Sequence, residues 1–293
     1  MTQTLDHGIS LPAYQLEDFE RASRPPFLTF AYHPARVCLL SLAESLLSSY
    51  MMMLGIASNI GYKLGLLEME EAVGDKMPEV IINGPEGRLE CRYMPGATPD
   101  APTALILHPE PNRNGTMNNR VTFATYKLFQ ERGFAVMRFN FRGVGRSQGI
   151  YDAGEGELSD AATAMDWLQS QHPGSNECWI AGFSFGSWIG MQLMMRRPEI
   201  TGFVSVSPPA ATHDFAFLAP CPASGIIVHG NQNEDVPIER VQMLVDKISK
   251  QKGVEITVAE IDGANHFFSS HLDEAMSAIG TYLDTPRHAD EDA

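Results

Sequence analysis

Cysteine is scarce in this chain: Cys38, Cys91, Cys178 and Cys221 are the four among 293 residues, and they lie far apart. No C-x-x-C or related spacing occurs, which excludes a zinc or dithiol centre built on local pairs and leaves buried thiols in a reducing, cytoplasmic compartment. Basic residues are short too. Lys and Arg number 21 against 36 Asp and Glu, a net charge of −15, so the basic face that a nucleic-acid backbone requires is missing. A clean membrane span is also missing. Residues 45–62 carry no charge and are long enough, but their serines, Asn59 and two glycines make them a poor span, and membrane contact through this segment is the disfavoured reading. Asp6, Glu17, Asp18 and Glu20 stand where a secretory leader would place a basic region and an apolar core. The Asn114-Gly115-Thr116 sequon has no secreted context to give it meaning, and no internal repeat is visible.

What is present changes character near Met77. Before it, Leu39, Leu42, Leu46, Tyr50, Met53, Ala57, Ile60 and Leu64 recur at helical spacing. Residues 1–76 therefore read as an N-terminal extension, partly helical: a packing arm, a surface-seeking helix, or an upstream stretch outside the native product, the last two being preferred. From 77 to 284, short apolar runs alternate with helical patterns. Strands are expected at 79–83, 88–93, 103–108, 134–139, 178–182, 201–207, 225–229 and 254–261, and helices at 123–132, 158–171, 187–197, 238–251 and 271–282. The first two strands flank a Gly-Pro-Glu-Gly turn and form an antiparallel hairpin; the rest imply an α/β fold, a mostly parallel sheet of about eight strands covered on both faces. Residues 285–293 are acidic, without apolar periodicity, and read as a disordered tail.

Gly182-Phe183-Ser184-Phe185-Gly186 sits between an expected strand and an expected helix. A nucleophile elbow needs small residues two before and two after the serine, because the strained turn brings backbone against backbone. The turn presents Oγ above the sheet edge and aims the Phe185 N–H at a developing oxyanion. His266, in Gly263-Ala264-Asn265-His266, follows the last strand and precedes the last helix, at the same carboxyl edge, and is the candidate general base.

With these pieces stand Leu107-His108-Pro109-Glu110-Pro111, Asn140-Phe141-Arg142-Gly143-Val144-Gly145-Arg146-Ser147, His229-Gly230 and Val236-Pro237. Residues 77–284 thereby resemble the α/β-hydrolase superfamily, and within it small lidless bacterial members similar to dienelactone hydrolases and the serine aminopeptidase-like group. The resemblance implies an α/β-hydrolase fold without a large cap domain. Dienelactone hydrolases carry a cysteine nucleophile; Ser184 turns the implied chemistry toward ester, thioester or amide hydrolysis. It also implies a second oxyanion donor just after the 103–108 strand, where Pro109 and Pro111 have no N–H and Glu110 does. The triad acid departs from the pattern. Strict register from Gly230 to Val236-Pro237 lands on Asn233, and an Asp-to-Asn exchange at that position costs about 10⁴ in kcat in serine protease triads. Asp235 is the chosen acid, Asn233 the alternative, Asp262 a further candidate, and Glu234 solvent-facing.

About 17 residues separate the expected strands at 201–207 and 225–229, too few for a cap, so the pocket should be shallow and open. Phe183, Phe185, Trp188, Phe215, Phe217 and Leu218 form an apolar acyl site or simply pack the elbow. Arg142 and Arg146 meet a substrate carboxylate or, preferably, hold turns. Two functions follow. One is a serine hydrolase (Ser184, His266, Asp235; oxyanion amides of Phe185 and Glu110) acting on a small-molecule acyl substrate with no metal or organic cofactor. The other is a catalytically weak, ligand-binding relative with Asn233 at the acid position.

Overall fold

The computed structural model describes residues 79–218, 221–249 and 253–285. The N-terminal extension, the boundary at Met77 and the tail from 286 onward lie outside the described residues.

Strands covered on both faces make the sheet centre: β3 (Thr103–Leu107), β4 (Ala135–Phe139) and β5 (Cys178–Phe183) are buried at every position. β1 (Glu79–Gly84) and β2 (Gly87–Met94) form the antiparallel hairpin, with Gly84 opposite Gly87. With β6 (Ile200–Val206), β7 (Ser224–Gly230) and β8 (Ile256–Ile261) the eight-stranded order is β1-β2-β4-β3-β5-β6-β7-β8. β2 pairs antiparallel to β4 and every later pairing is parallel. The strand order reverses between β3 and β5, and ligands of open parallel sheets bind at such a switch, beyond the carboxyl ends of the strands.

Among the described residues, five helices cover the sheet. α1 (Arg120–Glu131) and α5 (Leu272–Asp284) bury Val121, Tyr126, Phe129, Ala275 and Ile279 against one face. On the other face α2 (Glu155–Gln171), α3 (Phe185–Met194) and α4 (Ile238–Ile248) contribute Met165, Leu168, Ile189 and Val241 to a second core. None of the described helices is long and apolar enough to cross a membrane. Cys91, Cys178 and Cys221 are buried free thiols, and burial pushes the Cys91 thiol up to about 12; Cys38 lies outside the described residues.

The structure departs from the expected boundaries at two helix starts by three residues, and α3 ends at Met194, three residues before the expected end. α1 begins three residues early because the Asn119 side chain accepts the N–H groups of Val121 (3.0 Å) and Thr122 (3.5 Å). α2 likewise begins at Glu155, where the buried Glu157 carboxylate turns back to the N–H of Gly154 (2.8 Å) and Asp152 (3.0 Å).

Arg142 and Arg146 hold structure. The Arg142 guanidinium, buried, makes a two-pronged contact with Asp160 at 3.0 and 2.8 Å, and the same carboxylate accepts the Arg142 backbone N–H at 3.0 Å. Arg146 pairs with Glu79 at the surface. Neither lines the cavity beside Ser184. Asp160→Ala would strand a buried cation, so we expect a loss of about 3–5 kcal/mol of stability, read as a lowered urea midpoint.

Candidate active site

The elbow is a backbone crossing. Ser184 sits at φ 53°, ψ −121°, a conformation that an L-residue adopts only at a cost. A Cβ on Gly182 would lie 2.4 Å from the Gly186 carbonyl group, and one on Gly186 would lie 2.5 Å from the Leu107 oxygen and 2.6 Å from that of His108. Glycine at both positions is therefore a packing requirement: it lets α3 start directly over β5 and β3. The Ser184 N–H donates to Val206 O at 2.8 Å, and its carbonyl accepts from the Ser187 N–H and hydroxyl at 2.9 and 2.7 Å. Beneath the crossing, buried His108 donates Nδ1–H to Pro109 O (2.6 Å) and accepts the Phe141 N–H at Nε2 (3.0 Å). Burial holds it neutral, with its pKa lowered to about 3.

The loop after β8 delivers His266. Its Nε2 lies 3.1 Å from Ser184 Oγ, its carbonyl accepts the Ser207 hydroxyl at 3.1 Å, and its ring packs between Phe183 and Phe267 at centroid distances of 5.3 and 5.0 Å. Desolvation is the largest influence on the imidazole and lowers its pKa to about 4; the Asp235 carboxylate opposes this, while His229 and Arg113 reinforce it.

At Nδ1 the structure corrects the expected acid. Asn233 Nδ2, not a carboxylate of Asp235, lies 3.0 Å from His266 Nδ1. The loop after β7 folds around the Asn233 amide oxygen, which accepts the N–H groups of Asp235 and Val236, each at 3.1 Å. That local turn directs residue 233 inward and leaves Asp235 exposed on the cavity wall. Residue 233, on which strict register lands, is thus the one that the folded loop brings to His266. Asp262 accepts from Asn231 Nδ2 at 2.9 Å, and Glu234 is exposed.

A cavity of about 270 Å³ opens over Ser184, its walls including Glu110, Phe185, Arg113, His213, Asp235 and Phe267. Of the six apolar residues read either as an acyl site or as packing of the elbow, Phe185 alone lines the cavity. Phe183, Phe215 and Leu218 are buried in the packing, and Trp188 donates Nε1–H to Asp214 O at 3.0 Å while its ring lies 4.5 Å from that of His213. The loop after β3 is a pinned turn. Asn114 takes a left-handed conformation and a Cβ on Gly115 would lie 2.0 Å from Pro109 O. The Glu110 carboxylate accepts the Tyr151 hydroxyl at 3.0 Å and meets Arg113 Nε at 3.4 Å. Tyr151 and His213 lacked any sequence signal beyond residue type, since loops distant in sequence bring them to the site; Arg113 lies three residues after Glu110 and Phe267 directly after His266. No cluster of three or more metal-ligating side chains occurs among the described residues.

A family model described as X-Pro dipeptidyl-peptidase (S15 family) matches residues 88–247, which include Ser184 and Asn233. Among solved structures, a protein of unknown function from Agrobacterium tumefaciens, classed with the α/β hydrolases, is 57% identical; the match covers 71% of this chain and 95% of that one, with a TM-score of 0.69. An α-β serine hydrolase homologue from Coxiella burnetii is 36% identical, covering 70% and 96%, at 0.64. A lidless α/β serine hydrolase from Xanthomonas campestris is 28% identical, covering 71% and 95%, at 0.63.

Neutral burial of histidine has a consequence for stability. His108 and His266 have native pKa values of about 3 and about 4, and that of His229 is also lowered, in each case chiefly by burial. The unfolded chain takes up these protons near pH 6.5 and the native site does not. Stability is therefore full above pH 6.5 and falls on acidification, by up to about 1.4 kcal/mol per pH unit for each histidine until its native pKa is reached. Urea midpoints at pH 7.5, 6 and 5 should decline in that order.

Proposed function

The chain belongs to the α/β-hydrolase superfamily, with the peptidase S15 family as the model it matches, and from that premise we propose that this serine hydrolase cleaves a small ester or related acyl compound through a covalent acyl-enzyme. The observation that carries the reading is Ser184 Oγ, at the tip of a strained elbow, 3.1 Å from His266 Nε2.

Ser184 Oγ attacks the carbonyl carbon, His266 takes the hydroxyl proton and passes it to the departing alkoxide, and a water repeats the sequence in reverse to free the acid. Negative charge develops on the carbonyl oxygen. The Phe185 N–H, in the first turn of α3, where helix N–H groups have no intrahelical acceptor, and the Glu110 N–H, across the same cavity, are the donors we assign to it. The Glu110 carboxylate is occupied by Tyr151 and Arg113, which lessens its repulsion of the oxyanion. The small volume and the open mouth suit short acyl chains and leaving groups that extend into solvent. In the acyl-enzyme class, esters fit the reading best because an alkoxide needs less protonation to leave than an amine does.

The function is tested by fluorophosphonate labelling and by hydrolysis of p-nitrophenyl butyrate. Ser184→Ala should abolish labelling and lower kcat by at least about 10³-fold; labelling that persists in the variant would refute the assignment. The acid limb of the kcat/KM profile should lie below pH 5, not at 6.5, because burial lowers the His266 pKa to about 4.

A further inference from the structure

Hydrogen bonds around Asn233 determine which nitrogen of His266 carries the proton. Asn233 is only 5% exposed, so its amide has little access to water. The two backbone N–H groups of Asp235 and Val236, each 3.1 Å away, need an acceptor, and only the amide oxygen can supply one. The amide NH₂ therefore faces His266 Nδ1 at 3.0 Å, and it can only donate. Nδ1 must offer a lone pair, so a neutral imidazole carries its single proton on Nε2, directed at Ser184 Oγ, 3.1 Å away. The turn is braced from behind. His229 Nε2–H donates to Val236 O at 2.8 Å, while its buried Nδ1 has no partner among the described residues, as expected for the unprotonated nitrogen.

We propose that Asn233 is a positioning residue that holds His266 as its Nε2–H tautomer, so that the resting site presents Ser184 with a proton donor in place of a base and the hydrolase is self-restrained. This inference rests on the serine hydrolase reading above and adds its regulation. Two routes lead out of the resting state, and each breaks bonds. Turning the amide over sets its NH₂ against two backbone N–H groups in a buried turn. Moving the proton to Nδ1 without turning the amide sets N–H against N–H. Turnover waits on one of these rearrangements, and an aspartate at 233 removes the need for either: its second oxygen accepts from Nδ1–H while the first keeps the turn.

The test combines a spectrum with a rate, on the full chain at pH 7. With ¹⁵N-labelled histidine, and the His266 signals assigned by their loss in His266→Gln, Nδ1 of the wild type should resonate as an unprotonated nitrogen and Nε2 as a protonated one. In Asn233→Asp the two should exchange character, and fluorophosphonate labelling of Ser184 should accelerate by about 10²-fold or more, on the scale that the wrong tautomer costs in a serine protease triad. A protonated Nδ1 in the wild type overturns the inference, and that spectrum decides the matter even if Asn233→Asp does not fold. Exchange of the tautomer with no change in a measurable labelling rate overturns the restraint while leaving the hydrolase in place. Exchange with no labelling of Ser184 in either protein overturns the hydrolase reading, and the restraint with it.

Discussion

The close crossing of three backbone segments at the elbow is the constraint on which the rest of the site depends. β3 and β5 are neighbours in the sheet, and α3 begins immediately over both, with nothing but glycine hydrogens between Gly182 and Gly186 and between Gly186 and the carbonyls of Leu107 and His108. Such an approach leaves Ser184 at a positive φ, a strain on the order of 1–3 kcal/mol. The Val206 carbonyl that receives the Ser184 N–H, and the bonds from Ser187 back to the Ser184 carbonyl, hold the residue there. Everything that meets the serine is placed relative to this crossing: the start of α3 behind it, the pinned turn after β3 beside it, and the loop after β8 across from it.

Around this crossing the protein uses neutral histidines as buried hydrogen-bonding spacers. His108 links Pro109 to Phe141, His229 holds the Val236 carbonyl, and His266 stands between Asn233 and Ser184. An imidazole can donate on one side and accept on the other, which suits a strand end where one carbonyl and one N–H need partners and a charge would be costly. At two places buried charges are directly compensated. Arg142 and Asp160 neutralise one another at the turn after β4, and the Glu157 carboxylate answers the free N–H groups at the start of α2. The catalytic edge is thus electrically quiet except for groups on the open cavity wall: Glu110 with Arg113 on one loop and Asp235 on another.

Much of this architecture could be read from residue order. Continuous apolar runs at Thr103–Leu107 and Cys178–Phe183 have the length and composition of strands covered on both sides, and the Gly-x-Ser-x-Gly spacing carries its steric reason within five residues. Helix starts were harder to read, since Asn119 and Glu157 cap through side-chain bonds whose geometry depends on the preceding turn. Position 233 shows the same limit. The sequence offers Asn233, Glu234 and Asp235 in a row, and chemistry alone favours a carboxylate; the Asx-type turn that wraps two N–H groups around the residue 233 side chain is what selects the amide.

Alternation of apolar runs with helical patterns, the glycines flanking Ser184 and the place of His266 after the final strand are properties of the chain in order, because short-range sterics and burial act on neighbouring residues. Which side chain meets Nδ1, which loops wall the cavity, and whether Arg142 faces a substrate or Asp160 depend on how loops separated by tens of residues settle against one another. Those outcomes belong to the tertiary structure alone, because a hydrogen bond is won by whichever group the folded backbone brings within about 3 Å, and residue order does not encode that distance.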